Sequence, residues 1–283
     1  MTASPRPVLN YRDFTAGRSL YAKARDMARS AAIRTLSLGS FQARSPDTEG
    51  GWIRFPFYHH VFDDELDGFR RQLDFMAGLG DFIGLDDAVA MLESGDPIGG
   101  NYFCLTFDDG FKNWFTNAMP VLTDVQAPAA FFLVTRYIGT SLDSDRDLLL
   151  GFYESGDLLM EFLDWDDCRK MADAGMTIGS HTMNHVHLAE LDDAWAETEF
   201  RGSKKTIEAE LGRPCDHFCC PFGRENIDFL PGRDPDMARR VGYKSFLTTH
   251  RGKAEAGSSP MRIRRDHLLA NWSDHQLRYF FSR

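Results

Sequence analysis

The 283-residue chain has no run of about 18 apolar residues, so no segment reads as a membrane-spanning helix. Its N-terminus lacks the apolar stretch of a secretory signal, and the expected location is cytoplasmic. Cysteine is scarce. The five present are an odd number and include the adjacent Cys219 and Cys220, which does not suit a disulfide framework. Reduced, small apolar core residues are expected instead. Excess positive charge is missing too: the net charge of -10 argues against a general nucleic-acid binder. Internal repeats and low-complexity linkers are absent. What remains is an ordinary globular composition, long enough for one barrel-sized domain or two smaller ones.

The stretch Thr106-Phe107-Asp108-Asp109-Gly110 follows an apolar run, Tyr102-Phe103-Cys104-Leu105. A short apolar run that stops at paired acids and a glycine reads as a buried strand delivering two carboxylates into a loop. Alone, Asp-Asp-Gly is also ordinary turn chemistry. Carboxylates held together in one pocket raise the pKa of one of them or bind a cation. A second stretch, Gly179-Ser180-His181-Thr182-Met183-Asn184-His185, also follows a short strand signal, Met176-Thr177-Ile178. Histidines four apart meet on one face of a helical turn, and two imidazoles plus one carboxylate make the three-ligand set of catalytic zinc.

These two motifs resemble those of the polysaccharide deacetylases related to the nodulation chitooligosaccharide deacetylase, carbohydrate esterase family 4. Thr106 to Gly110 is similar to the first motif of that family, and His181-Thr182 with His185 to its second. Cys220-Pro221-Phe222-Gly223 is similar to a third. The resemblance covers roughly residues 52–268. It implies a distorted (β/α)7 barrel and removal of the N-acetyl group from an amino sugar. It assigns the metal to Asp109, His181 and His185, and the general base to Asp108. Zinc is the expected cofactor, with Co2+, Ni2+, Mn2+ or Fe2+ allowed by mixed nitrogen and oxygen ligands. Two histidines compete for the general acid. His250 ends Leu247-Thr248-Thr249-His250, spelled like a late family motif. His59 lies in Tyr58-His59-x-Val61, which resembles a subgroup with permuted motif order, and it is the favoured choice. Phe222 and His250 are expected to contact substrate, with a backbone N–H near Phe222 on the oxyanion. His60 and His187 read as packed or surface residues. The family arginine that orients the base has no match at Cys219-Cys220, and no tryptophan-containing fourth motif is found.

Along the chain, strand signals near residues 52–58, 82–83, 102–107, 129–135, 176–178, 218–220, 244–248 and 263–268 alternate with helical ones, which argues for βα units and a parallel sheet. Phe69, Leu73 and Met76 mark one helix face; Asp164 reads as an N-cap; Gly95, Gly175 and Gly212 read as helix stops. Residues 139–161 read as an acidic, irregular insertion. Asp108, Asp109, His181, His185, His59 and Phe222 all fall just after expected strands, where barrels of this kind carry their chemistry.

Residues 1–50 differ from the main domain, 51–283. Up to Arg44 they hold eight basic residues against Asp13 and Asp26, a net of +6, which leaves -16 for the remainder. Leu20, Ala24, Met27 and Ala31 recur at helical spacing. Both a helix packed on the main domain and a basic segment touching an anionic membrane fit that pattern. The expected partner is an N-acylated amino sugar from a polysaccharide, lipopolysaccharide, O-antigen or capsule pathway. Removal of a formyl group, hydrolysis of another amide, and a catalytically inactive carbohydrate-binding barrel are the alternatives.

Overall fold

The structure, a computed structural model, describes residues 6–40 and 50–282. Ten short strands organise it: β1 Trp52–Arg54, β2 Pro56–Tyr58, β3 Asp81–Phe82, β4 Asn101–Phe103, β5 Leu105–Asp109, β6 Ala129–Leu133, β7 Thr177–Ser180, β8 His217–Cys219, β9 Ser245–Leu247 and β10 Asp266–His267. Seven form one parallel sheet in the order β10-β2-β5-β6-β7-β8-β9; β1, β4 and β3 form a small parallel sheet beside it. The last segment closes the curl. On one side the Thr248 N–H donates to the Ile263 carbonyl and the Arg265 N–H to the His250 carbonyl; on the other, the Asp266 and Leu268 N–H groups donate to the carbonyls of Phe55 and Phe57. The result is the distorted seven-stranded barrel that the motifs implied.

Every residue of β5 and β6 is buried. Parallel strands covered on both faces lose the polar alternation of a half-exposed sheet, and this is why Ala129 to Leu133 read as one apolar run. The single strands expected at 52–58 and 102–107 are each split. Ile53 and Arg54 pair with Tyr102 and Phe103 in the small sheet, whereas Phe57 and Tyr58 pair with Thr106 and Phe107 in the barrel. The chain changes sheets at Phe55 and Cys104, and the Cys104 N–H donates to the Arg54 carbonyl at that junction.

The helices follow the sequence signals closely. Leu66–Ala77 buries Phe69, Leu73 and Met76. Its fourth buried residue, Gln72, accepts from the Tyr58 hydroxyl and donates to the carbonyls of Leu269, Ala270 and Trp272. Asp164 caps Trp165–Asp173, and Gly212, at φ +63°, ends Asp193–Leu211. The helix expected from Phe111 starts differently. Pro120 has no N–H to return to the preceding turn, and the chain takes wide π turns over Trp114–Ala118 before Met119–Asp124. Residues 139–161 are less irregular than expected: they contain the helix Arg146–Leu150 and bury Leu149 and Leu159.

The N-terminal stretch forms Tyr11–Phe14 and the long helix Leu20–Ser40, which lies against the C-terminal helix Asp274–Phe281. Three positions of its expected inner stripe are turned outward: Leu20 is 85% exposed and Ala24 and Ala31 are exposed, while Ile33 is buried. Leu20 and the small alanines offer little area, and among the described side chains of this helix the buried one is the larger Ile33. The side chains of Lys23, Asp26, Met27 and Arg29, and all of Arg44, lie outside the described residues. Among the described residues no helix is long and apolar enough to cross a membrane.

Candidate metal centre and active site

Three strand ends converge at one mouth of the barrel. β5 ends on Asp108 and Asp109, β7 is followed by His181, and β8 by Cys220-Pro221-Phe222. Asp109 itself turns the chain, at φ +97°, and Gly110 follows at φ +99°. A Cβ on Gly110 would stand 2.7 Å from the Ile138 Cδ1, so both backbone freedom and close approach favour glycine there.

His181 and His185 both aim Nε2 at the Asp109 Oδ1, from 3.4 and 3.3 Å. The His181 Nδ1 lies 2.8 Å from the Cys219 carbonyl oxygen, which can only accept. The proton of a neutral His181 therefore sits on Nδ1, and its Nε2 presents a lone pair to a carboxylate oxygen. That oxygen is buried and makes no hydrogen bond among the described residues. Two acceptors facing each other in a buried site suit a cation between them, with the Cys219 carbonyl orienting the imidazole from behind. The donor set of one carboxylate and two imidazoles thus fits a divalent metal. A second group, Asp108 with His181 and Cys219, fits less well. Both Asp108 oxygens are already taken by Arg265, and burial pushes the Cys219 thiol far up, away from the thiolate a metal needs.

The two histidines meet without the expected helical turn. Residues 181–187 are a loop, with Thr182 at φ +68° and His185 at φ +57°. The Thr182 Oγ1 accepts from the His185 N–H at 2.9 Å, and the Thr182 and Met183 carbonyls accept from the N–H groups of Thr135 and Arg136 after β6. Ties to the neighbouring strand end replace the i to i+4 ladder. The His185 ring stacks on Phe152, at 5.1 Å between centroids, and tilts against Phe222 at 4.7 Å.

Asp108 is 2% exposed and sits in a bidentate pair with Arg265, whose Nη1 and Nη2 donate at 2.7 and 2.6 Å. Burial alone would raise this carboxyl; the Arg265 charge and hydrogen bonds, with His181 and His59 adding to them, outweigh it and hold the group below the usual range. Arg265 is fully buried, lies over the Phe57 ring at 4.1 Å, and also donates to the Thr248 carbonyl. Sequence reasoning missed it by seeking the arginine beside Pro221. No local signal marks it: in Ile263-Arg264-Arg265-Asp266-His267-Leu268 the two apolar residues fall on opposite faces of a strand, so the pattern does not say which arginine turns to the core.

His59 follows β2. Its carbonyl accepts from the Trp114 Nε1, and its ring stands edge-on to His267 at 5.1 Å. His267 was also unanticipated; burial, with His59 and Arg251 adding, pushes it down to about 3, so it stays neutral. His250 lies elsewhere, with its side chain 47% exposed and its Nε2 accepting from the Glu225 N–H at 3.3 Å. Phe222 is 41% exposed at φ +59°, and its N–H makes no hydrogen bond among the described residues. His187 stacks flat on Phe222 at 4.0 Å and pairs with Asp228. His60 is packed, as expected: it contacts Phe111 and Phe14, and its Nε2 lies 2.7 Å from the Tyr153 hydroxyl. Burial, aided by the charge of His59, holds His60 down at about 3.

A family model described as polysaccharide deacetylase matches residues 96–244, just over half of the chain. The chain belongs to the polysaccharide deacetylase family. The matched stretch contains Asp108, Asp109, His181, His185 and Phe222, while His59, His250 and Arg265 lie outside it. Among curated relatives, the Bacillus subtilis (strain 168) protein YxkH, which carries a polysaccharide deacetylase name, is 27% identical over 150 residues, 53% of this chain and 45% of that protein. The poly-beta-1,6-N-acetyl-D-glucosamine N-deacetylase of Escherichia coli (strain K12) is 30% identical over 199 residues, 57% of this chain and 27% of that protein. The chain thus spans less than half the length of the curated relatives it matches. Among solved structures, the Streptococcus pyogenes deacetylase PplD in complex with acetate superposes with a TM-score of 0.65 at 23% identity, covering 82% of this chain and 99% of that one. IcaB from Ammonifex degensii gives a TM-score of 0.65 at 20% identity, covering 82% and 97%. Both likenesses are of fold.

Proposed function

We propose that the chain hydrolyses the N-acetyl group of an amino sugar in a cell-surface polysaccharide or its precursor, with a divalent metal, zinc foremost, held by Asp109, His181 and His185. The observation that carries the reading is the buried Asp109 Oδ1, without a hydrogen bond among the described residues and faced by two imidazole nitrogens. A divalent cation supplies Lewis acidity in such a site: it polarises an acyl carbonyl and makes water nucleophilic near neutral pH. Asp108 is the general base. Arg265 holds its carboxylate ionised and fixed in direction, ready to take the proton of the attacking water. The Phe222 N–H, without an acceptor among the described residues and presented by a strained left-handed backbone, donates to the oxyanion that forms on the substrate carbonyl. His59 then protonates the leaving amine. It is favoured over His250 because it follows β2, the strand paired with the one that ends on Asp108 and Asp109, whereas His250 faces Glu225. The exposed Phe222 ring offers an apolar face for a sugar ring.

The test is metal analysis of the purified chain, followed by amine release from a panel of N-acetylated sugars and oligosaccharides with and without chelator. Chelator-sensitive amine release is expected. Release from none of the panel would sink the deacetylase reading, and a chelator-insensitive release would sink the metal.

A further inference from the structure

The tip of the ligand loop, Thr182-Met183-Asn184, takes a conformation that its sequence spacing does not enforce. Glu199, on the helix Asp193–Leu211, is 6% exposed behind that tip. Its Oε2 accepts from the N–H groups of Met183 at 2.7 Å and Asn184 at 3.1 Å, and its Oε1 accepts from the Asn184 Nδ2 at 2.6 Å. The same helix makes room for the tip at Gly202, where a Cβ would stand 2.0 Å from the Met183 Sδ. Burying a carboxylate is costly unless it is hydrogen-bonded. Here its partners are backbone and amide N–H groups, all drawn from the three residues between the two imidazoles.

We propose that Glu199 is a positioning residue for the metal centre. It fixes the 182–184 tip so that the chain turns back at His185, φ +57°, and brings that imidazole to the oxygen already faced by His181. This rests on the reading of Asp109, His181 and His185 as metal ligands. Without the carboxylate, three N–H groups lose their acceptor, the tip relaxes, and His185 swings out of register. Thr182 and Asp109 do not replace it, since neither bonds the Met183 or Asn184 N–H. A residue that merely stapled the loop to the helix would lower stability and leave metal affinity unchanged.

The test uses the full chain, stripped with chelator and titrated with zinc against a competing chromophoric chelator, together with thermal melting of each zinc-free form. Glu199→Ala is expected to bind zinc about 10- to 100-fold more weakly than wild type, as outer partners of metal ligands do. Glu199→Gln, of the same shape, should lose affinity in the same direction by less, and His185→Ala should not bind. Wild-type zinc affinity in both Glu199 variants, with binding lost in His185→Ala, would overturn the positioning role and leave the metal centre standing. Unchanged binding in His185→Ala would instead overturn the metal centre. If Glu199→Ala does not fold, Glu199→Gln decides: a wild-type affinity there overturns the proposal.

Discussion

The two imidazoles of the candidate metal centre are held by different physics. His181 follows β7 directly: its N–H donates to the Leu133 carbonyl, its ring donates to the Cys219 carbonyl, and it is 2% exposed. His185 sits on a loop, its ring wedged between Phe152 and Phe222; no hydrogen bond reaches its second ring nitrogen among the described residues. One ligand is aimed by a hydrogen bond from the barrel wall, the other by packing and by the shape of its loop. A directional bond fixes tautomer and angle together, whereas packing fixes the ring plane alone. The barrel half should therefore be the rigid half, and the loop half the one that variants can detune.

The sharpest break comes from the ligands themselves. Asp109→Ala and His181→Ala should abolish zinc binding by elemental analysis, while Asp108→Asn should keep the metal and lower kcat by about 100- to 10,000-fold, the range for a lost general base. Loss of zinc in Asp108→Asn would mean that both acids are ligands. Next in size is the buried pair behind the base. Arg265→Met strands a carboxylate that is 2% exposed, and should cost about 3–5 kcal/mol by denaturant unfolding. A loss below about 1 kcal/mol, the range of a surface pair, would show that Asp108 finds another partner.

Smaller effects separate the two halves of the site. Phe152→Ala removes the ring under His185 and should weaken zinc binding about tenfold without touching His181. Cys219→Ala should leave zinc affinity unchanged, because its carbonyl and not its thiol orients His181. A large loss in Cys219→Ala would reverse the choice between the two candidate ligand groups, in favour of the one containing the thiol.

Local sequence was sufficient wherever the determinant is local. Apolar runs ending at Asp108 and before His181 announced buried parallel strands, since strands covered on both faces have no polar side to show. Asp164, Gly95 and Gly212 marked helix ends because capping and positive φ are properties of single residues. Where the determinant is a contact between distant parts of the chain, sequence was silent or misleading. His-x-x-x-His suggested a helical turn, yet bonds from Thr135, Arg136 and Thr182 open that turn into a loop. The arginine on Asp108 comes from residue 265, 157 positions away, as barrel closure brings the last strand beside the first strand of the sheet. Spacing along a chain encodes short-range geometry. Which charge meets which acid is decided when a sheet closes, and only the assembled barrel holds that information.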